Sequence, residues 1–331
     1  MSTIPLVVYA SSSRMPLFDE QRQKIQRSGA ELVEIYDNLE EITRFASRID
    51  ILITGGIRVK SDLINLLEKC RLIAQASVGF DNVDVETATL RGIPVENAPG
   101  FCAEEVSNHI ITMLLSWSRR LTQWDQKVRQ GQWFEREPIL RLSGQTLGLI
   151  GFGNIGRGVS RKAQAFGLNV IVYDPFVEAE KILAEGVGPV NLEDVLRNSD
   201  YVSMQSPLNS QTRGFMDRKK LSKMKKTAFL INCSRGGVIK EGDLIEALKE
   251  GTIAGAGLDV FEQEPIAEDH PFLAMRNVIL TPHSAGYSEA SIFDAREMVV
   301  DAAIRVLTGK VPQALVNPAV LKASNCRLKE A

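Results

Sequence analysis

The sequence predicts an α/β protein built from two doubly wound parallel sheets. Three observations carry that reading. Short apolar runs alternate with amphipathic stretches, the alternation restarts after a long helical segment, and a glycine-rich turn joins a strand-like run to a helix. At roughly 100 to 200 residues per domain, a chain of 331 residues has room for two cores.

The first series is LVVYA, ELVEIY, DILIT and LIAQA, each followed by a polar or helical-looking stretch. That is the rhythm of parallel strands with helical crossovers, and it defines a first domain at residues 1–100. From Ala103 to Arg129 apolar residues recur at helical spacing through VSNHIITMLLSWSRRL, so one long helix is expected to lead into the next domain. After breaks at Gly131 and Pro138 the second series runs TLGLI, NVIVY, YVSMQ, AFLIN, IAGAGLDV and NVILTP, giving a domain at 101–288. A final helical pattern, Glu289 to Leu307 and stopped by Gly309, is expected to return to the first domain, which 289–331 completes. Residues 323–331 read as a polar, frayed tail.

Thirty-nine Lys and Arg balance 41 Asp and Glu to a net charge of −2, with no basic stripe or like-charge block. Nucleic acids and anionic membranes are therefore not expected as partners. Cys70, Cys102, Cys233 and Cys326 lie far apart and form no CxxC pair. Neither a disulfide framework nor a metal site is expected, and the setting expected is reducing and cytoplasmic. The apolar stretch Ile4 to Ala10 is short and lacks a basic leader, and no apolar run approaches the roughly 18 residues of a membrane span.

Gly151, Gly153 and Gly156 form GxGxxG directly after TLGLI and before a helical stretch in which Ile155, Val159, Ala163 and Phe166 share a face. Strand, turn and helix in that order make a Rossmann-type dinucleotide site. The first glycine permits the tight turn, the second lets a pyrophosphate approach the backbone, and the third lets helix and strand pack. Asp174 ends the next strand, 18 residues past Gly156. A carboxylate there accepts hydrogen bonds from a ribose and repels a 2′-phosphate, which favours NAD over NADP.

Three histidines are available as a proton carrier. His109 lies mid-helix and reads as a packed residue, and His270 reads as a structural loop residue. His283 follows NVILTP directly, at the carboxyl end of a strand, where α/β sheets place ligands. Arg235 stands in the same kind of place after AFLIN, and its planar fork suits a substrate carboxylate. Asp259, Glu262 and Glu264 cluster after IAGAGL, and spacing alone leaves open which of them meets the imidazole.

Six motifs in order, SVGFDNVD at 77–84, GFGNIG at 151–156, SPLNSQT at 206–212, NCSRGG at 232–237, LDVFEQEP at 258–265 and TPHSAG at 281–286, resemble the D-isomer-specific 2-hydroxyacid dehydrogenases over nearly the whole chain. The resemblance implies a Rossmann NAD domain inserted into a flavodoxin-like substrate domain. It implies an enzyme that interconverts a small 2-keto acid and a D-2-hydroxy acid by hydride transfer with NAD(H). It makes Arg235, Glu264 and His283 the catalytic residues, with Glu264 on the imidazole and Asp259 near the nicotinamide. Ser77, Val78 and Gly79 join Arg235 at the substrate carboxylate. Asn154, Ile155, Asp174, Ser206, Pro207, Thr212, Cys233, Ser234 and Gly286 line the NAD cleft together with the three motif glycines.

The resemblance further implies a homodimer through the NAD domain, with the helix after Ala103 and QWF at 132–134 as interface candidates, and lobe closure about crossings near residues 100 and 290. Two departures stand out. Gln205 occupies a place where many relatives carry His, and Thr54 and Gly56 stand where phosphoglycerate dehydrogenases carry a phosphate-binding Arg, with Arg58 and Lys60 nearby. A second reading is an NADH-sensing interaction protein of the corepressor type. Formate dehydrogenase is a weaker third, because its relatives carry Gln where Glu264 stands.

Overall fold

The computed structural model describes residues 4–12, 15–134, 136, 139 and 141–329. Pro138 and the last two residues of the expected tail lie outside them. The chain divides into two compact units, Met1–Phe101 with Ser288–Ala331, and Cys102–Tyr287.

The first unit holds a five-stranded parallel sheet of β1 (Leu6–Ser11), β2 (Glu31–Tyr36), β3 (Ile51–Gly55), β4 (Leu72–Gln75) and β5 (Val95–Asn97), in the order β2-β1-β3-β4-β5. That is the flavodoxin-like order. Every residue of β1 is buried, as a central parallel strand covered on both faces requires. One face packs against helix Glu289–Leu307, where Ala295, Val299, Val300 and Ala303 meet Val7, Ile51, Ile53 and Leu72. Ser288 caps that helix through Ser291 N–H. β5 is three residues long, too short to leave an alternation in the sequence.

The second unit holds a seven-stranded parallel sheet of β6 (Thr146–Ile150), β7 (Asn169–Tyr173), β8 (Gly188–Pro189), β9 (Tyr201–Met204), β10 (Phe229–Asn232), β11 (Gly255–Leu258) and β12 (Val278–Leu280), in the order β12-β11-β10-β9-β6-β7-β8. The order reverses between β6 and β9, the switch point at which doubly wound sheets open a crevice at their carboxyl ends. Buried Ile150, Val202, Leu230, Ala256 and Leu258 form the middle of its core.

The single long helix expected at 103–129 is instead two, Ala103–Ser118 and Leu121–Arg129. Arg120 between them takes a left-handed conformation, φ 52°, and ends the first helix. The first helix buries Val106, Ile110, Ile111, Met113 and Leu114, whereas the second buries no residue, so no packing holds the two in line.

Candidate active site

The glycine turn is built by contact rather than by composition. Gly151 sits at φ 105°, and a Cβ there would come within 3.0 Å of the Gln205 backbone. A Cβ on Gly156 would meet Gly151 O at 2.7 Å, so the third glycine permits the helix to close on the strand. At Gly153 a Cβ would meet nothing within 4 Å. That open space lies at the start of helix Asn154–Ala165, where Gly153 is an N-cap without a side chain and Asn154 and Ile155 are the first helical residues. Backbone N–H groups at such an end suit a phosphate, so the turn fits a dinucleotide. Asp174, after β7, accepts from Phe152 N (2.7 Å) and Phe176 N (2.8 Å), which ties its carboxylate to the same turn.

β10, β11 and β12 are neighbours in the sheet, and their carboxyl ends deliver Arg235, Glu264 and His283. The turn after β10 is fixed by buried Asn232, whose Nδ2 donates to Arg235 O (3.0 Å) and whose Oδ1 accepts from Ser234 N and Oγ. Arg235 Nη1 donates to Ser234 O (2.8 Å). After β11, Glu264 Oε1 accepts from Phe261 N (2.9 Å) and Oε2 lies 2.6 Å from His283 Nδ1. Burial alone would push the Glu264 carboxyl up. The hydrogen bonds from His283 and Phe261 N–H, with the charges of His283 and Arg235, outweigh it and hold the group below the usual carboxylate range.

Asp259 is 1% exposed. It accepts from Thr281 Oγ1 (2.6 Å), Ser284 N (2.9 Å) and Ala285 N (2.9 Å), so its carboxylate organises the turn that carries His283. Glu262 accepts from Glu241 N instead. Of the three acids, the structure therefore brings Glu264 to the imidazole. His109 is packed, as its helical position suggests, but its Nε2 also lies 3.0 Å from Thr281 Oγ1. Sequence reasoning missed that tie, which joins residues 172 apart, and Asn232, whose local bonds to Ser234 and Arg235 leave no mark in residue spacing.

Of the remaining cleft candidates, Ser206 Oγ donates to Ile150 O (3.4 Å) and Thr212 Oγ1 to Pro207 O (2.5 Å), which makes the turn after β9 self-braced. Cys233 is buried with Sγ 3.9 Å from Met113 Sδ, and burial pushes its thiol up, so toward a cleft it offers backbone only. Gly286 lies against Cys102, 3.3 Å from where its Cβ would stand. In the first unit, Ser77 Oγ donates to Gly79 O (2.7 Å), Gln75 Nε2 to Ser77 Oγ (2.8 Å) and Asn97 Nδ2 to Val78 O (2.6 Å). Three side chains thus stiffen the turn at Ser77, Val78 and Gly79.

A pocket of about 550 Å³ opens beside Glu264 and His283, walled by Phe261, Pro265, Ile266, Leu273, Leu280 and Pro282. Among the described residues no cluster of His, Cys, Asp and Glu is arranged to hold a metal ion, and no helix is long and apolar enough to cross a membrane.

A family model described as the NAD binding domain of D-isomer specific 2-hydroxyacid dehydrogenase matches residues 111–285. A glyoxylate reductase from Korarchaeum cryptofilum is 41% identical over 269 residues, 80% of this chain and 81% of that protein. A D-3-phosphoglycerate dehydrogenase from Methanocaldococcus jannaschii is 37% identical over 91% of this chain, which spans 58% of that relative. The solved D-lactate dehydrogenase of Aquifex aeolicus, in complex with NAD and lactic acid, superposes with a TM-score of 0.83 at 28% identity, covering 93% of this chain and 98% of that one. The chain belongs to the D-isomer specific 2-hydroxyacid dehydrogenase family, NAD-dependent enzymes that interconvert 2-keto and 2-hydroxy acids.

Proposed function

We propose that the protein reduces glyoxylate or a similarly small, unphosphorylated 2-keto acid with NADH, using His283 as the proton carrier, Glu264 as its partner and Arg235 as the carboxylate grip. The observation that carries this reading is the 2.6 Å contact of His283 Nδ1 with Glu264 Oε2, on strand ends adjacent to that of Arg235. Because Nδ1 is taken by Glu264, proton exchange with the substrate oxygen falls to Nε2. Arg235 holds the carboxylate through two N–H groups and stabilises negative charge developing on the neighbouring oxygen. The bound dinucleotide supplies the hydride in reduction and accepts it in oxidation.

Gly151, Gly153, Asn154, Ile155 and Gly156 would hold the pyrophosphate, and Asp174 the adenosine ribose. For the first unit, we assign the braced Ser77–Gly79 turn the role of offering backbone N–H groups to a carboxylate. An unphosphorylated substrate is supported by Thr54 and Gly56, which bring no cation, and at Gly56 φ is 79°, a conformation that a side chain-bearing residue takes only with strain. Sequence similarity to a glyoxylate reductase points the same way.

Homodimerisation through the second unit is part of this reading. Helix Leu121–Arg129 buries no residue, and Leu121, Val128, Trp133 and Phe134 are all more than half exposed, with Phe134 stacked on Trp124. A cytoplasmic setting also belongs to it, since the four cysteines are free, buried thiols. The test is NADH oxidation with glyoxylate, hydroxypyruvate and phosphohydroxypyruvate, compared as kcat/KM. Preference for the phosphorylated acid would overturn the substrate assignment, and full activity of His283→Ala would overturn the site.

A further inference from the structure

We infer that Glu241 and His270 are positioning residues that clamp the loop bearing Glu264 to the turn bearing Arg235. The inference rests on the reading above, in which Glu264 serves His283 and Arg235 holds the carboxylate. Those two side chains stand on separate loops after β10 and β11, and productive geometry needs the loops in fixed register.

Three contacts supply that register. The first is steric: a Cβ on Gly236, next to Arg235, would stand 1.9 Å from Phe261 C and 2.5 Å from Glu262 N, so the two backbones touch. The second is a reciprocal tie. Glu241 opens the helix Glu241–Lys249 that follows the Arg235 turn, and its N–H donates to Glu262 Oε1 while Glu262 N–H donates to Glu241 Oε2, both at 3.2 Å.

The third contact is the imidazole of His270, whose Nε2 lies 3.0 Å from Glu241 Oε1. His270 Nδ1 accepts from Phe272 N (3.3 Å), which leaves Nε2 as the donor to the carboxylate. Both side chains are largely buried, 16% and 17% exposed, so Glu241 depends on this donor rather than on water. His270 thereby holds the carboxylate that holds the Glu262 amide. From Glu262 the path to the chemistry is short: Phe261 N donates to Glu264 Oε1, and Glu264 Oε2 meets His283. Phe261 and Phe272 are anchored in the core independently of the clamp, so its loss shifts the loop without unfolding the unit.

The experiment is a double-mutant cycle on glyoxylate reduction with saturating NADH. Glu241→Ala and His270→Leu are each made alone and combined with Glu264→Ala, which removes the contact to His283, with kcat, NADH Kd and Tm recorded. Each single change should lower kcat about tenfold and leave NADH Kd within about twofold. His270→Gln, which keeps an amide donor near the Nε2 position, should recover most of the rate. In the Glu264→Ala background Glu241→Ala should add less than about twofold, because the clamp acts through Glu264. Should Glu241→Ala not fold, His270→Leu, which leaves the helix start intact, carries the same cycle. A full tenfold loss in the Glu264→Ala background, or an unchanged kcat in the single variants, overturns the clamp alone. An unchanged kcat in Glu264→Ala and His283→Ala by themselves overturns the underlying dyad reading, and the clamp with it.

Discussion

His283 N–H donates to Asp259 O at 2.7 Å while the His283 backbone sits in the left-handed region at φ 53°. A non-glycine residue pays about 1 to 2 kcal/mol for that conformation. The turn sustains it because the Asp259 carboxylate also collects Ser284 N, Ala285 N and the Thr281 hydroxyl, two donors after the histidine and one before it. The strain aims the imidazole at Glu264 instead of letting the chain run on extended from β12.

Thr281→Val tests that account. The hydroxyl both donates to Asp259 and meets His109 Nε2, and valine keeps its shape while removing both contacts. A buried carboxylate losing one of three donors should cost about 1 to 3 kcal/mol of stability. kcat should fall with little change in NADH Kd, measured by thermal melts and steady-state rates. A fully active, equally stable variant would show that the turn is held without the Thr281 hydroxyl.

NADH should be preferred over NADPH by a factor on the order of 100, because a 2′-phosphate would meet the Asp174 charge and lose its ribose hydrogen bonds. Asp174→Ala should narrow that preference. It should also loosen the glycine turn, since both Asp174 oxygens hold backbone amides of Phe152 and Phe176. Part of the loss should therefore appear in both cofactors. Equal use of NADH and NADPH by the wild type would remove Asp174 from the ribose.

Arg235→Lys keeps the charge but not the two-pronged geometry, so kcat/KM for the keto acid should fall by more than about 100-fold. NADH binding should change little, because the residue is fixed by Asn232 and Ser234 rather than by the glycine turn. Fluorescence titration with NADH beside steady-state rates separates the two. Near-normal turnover would take Arg235 out of the site.

These residues also show where the sequence was readable. The runs that became β1–β4, β6, β7 and β9–β12 are long enough to leave an apolar signature, and GFGNIG announces its turn because close backbone approach admits only glycine at Gly151 and Gly156. β12 is as short as β5, but its VIL is apolar throughout, whereas β5 is VEN and β8 only GP, which leaves no apolar run to read. Arg120 breaks a helix whose apolar spacing runs through it, since left-handed geometry at one arginine leaves no mark in periodicity. His109 and the Glu241–His270 pair stayed dark for another reason: their partners are 172 and 29 residues away, and only the fold brings them together.

The choice among Asp259, Glu262 and Glu264 turns on geometry, and it carries a pH prediction. Glu264 is held below the usual carboxylate range, so its contribution to stability is fully present above the unfolded-state value and is lost as pH falls through the lower folded one. Across neutral pH it is therefore ionised, and it is bonded to His283 Nδ1, which leaves Nε2 for the substrate. In Glu264→Gln the amide still reaches the ring but carries no ionisable group, so kcat/KM should fall at neutral pH and the loss of rate that follows protonation of Glu264 in acid should vanish from the profile. Stability should follow in parallel, with Tm of the variant below wild type at neutral pH and converging on it in acid. His283→Ala should instead depress both directions at every pH. The measurement is kcat/KM against pH in both directions at saturating NADH or NAD. An acidic limb that stays in place while only the rate drops would mean that it does not report Glu264.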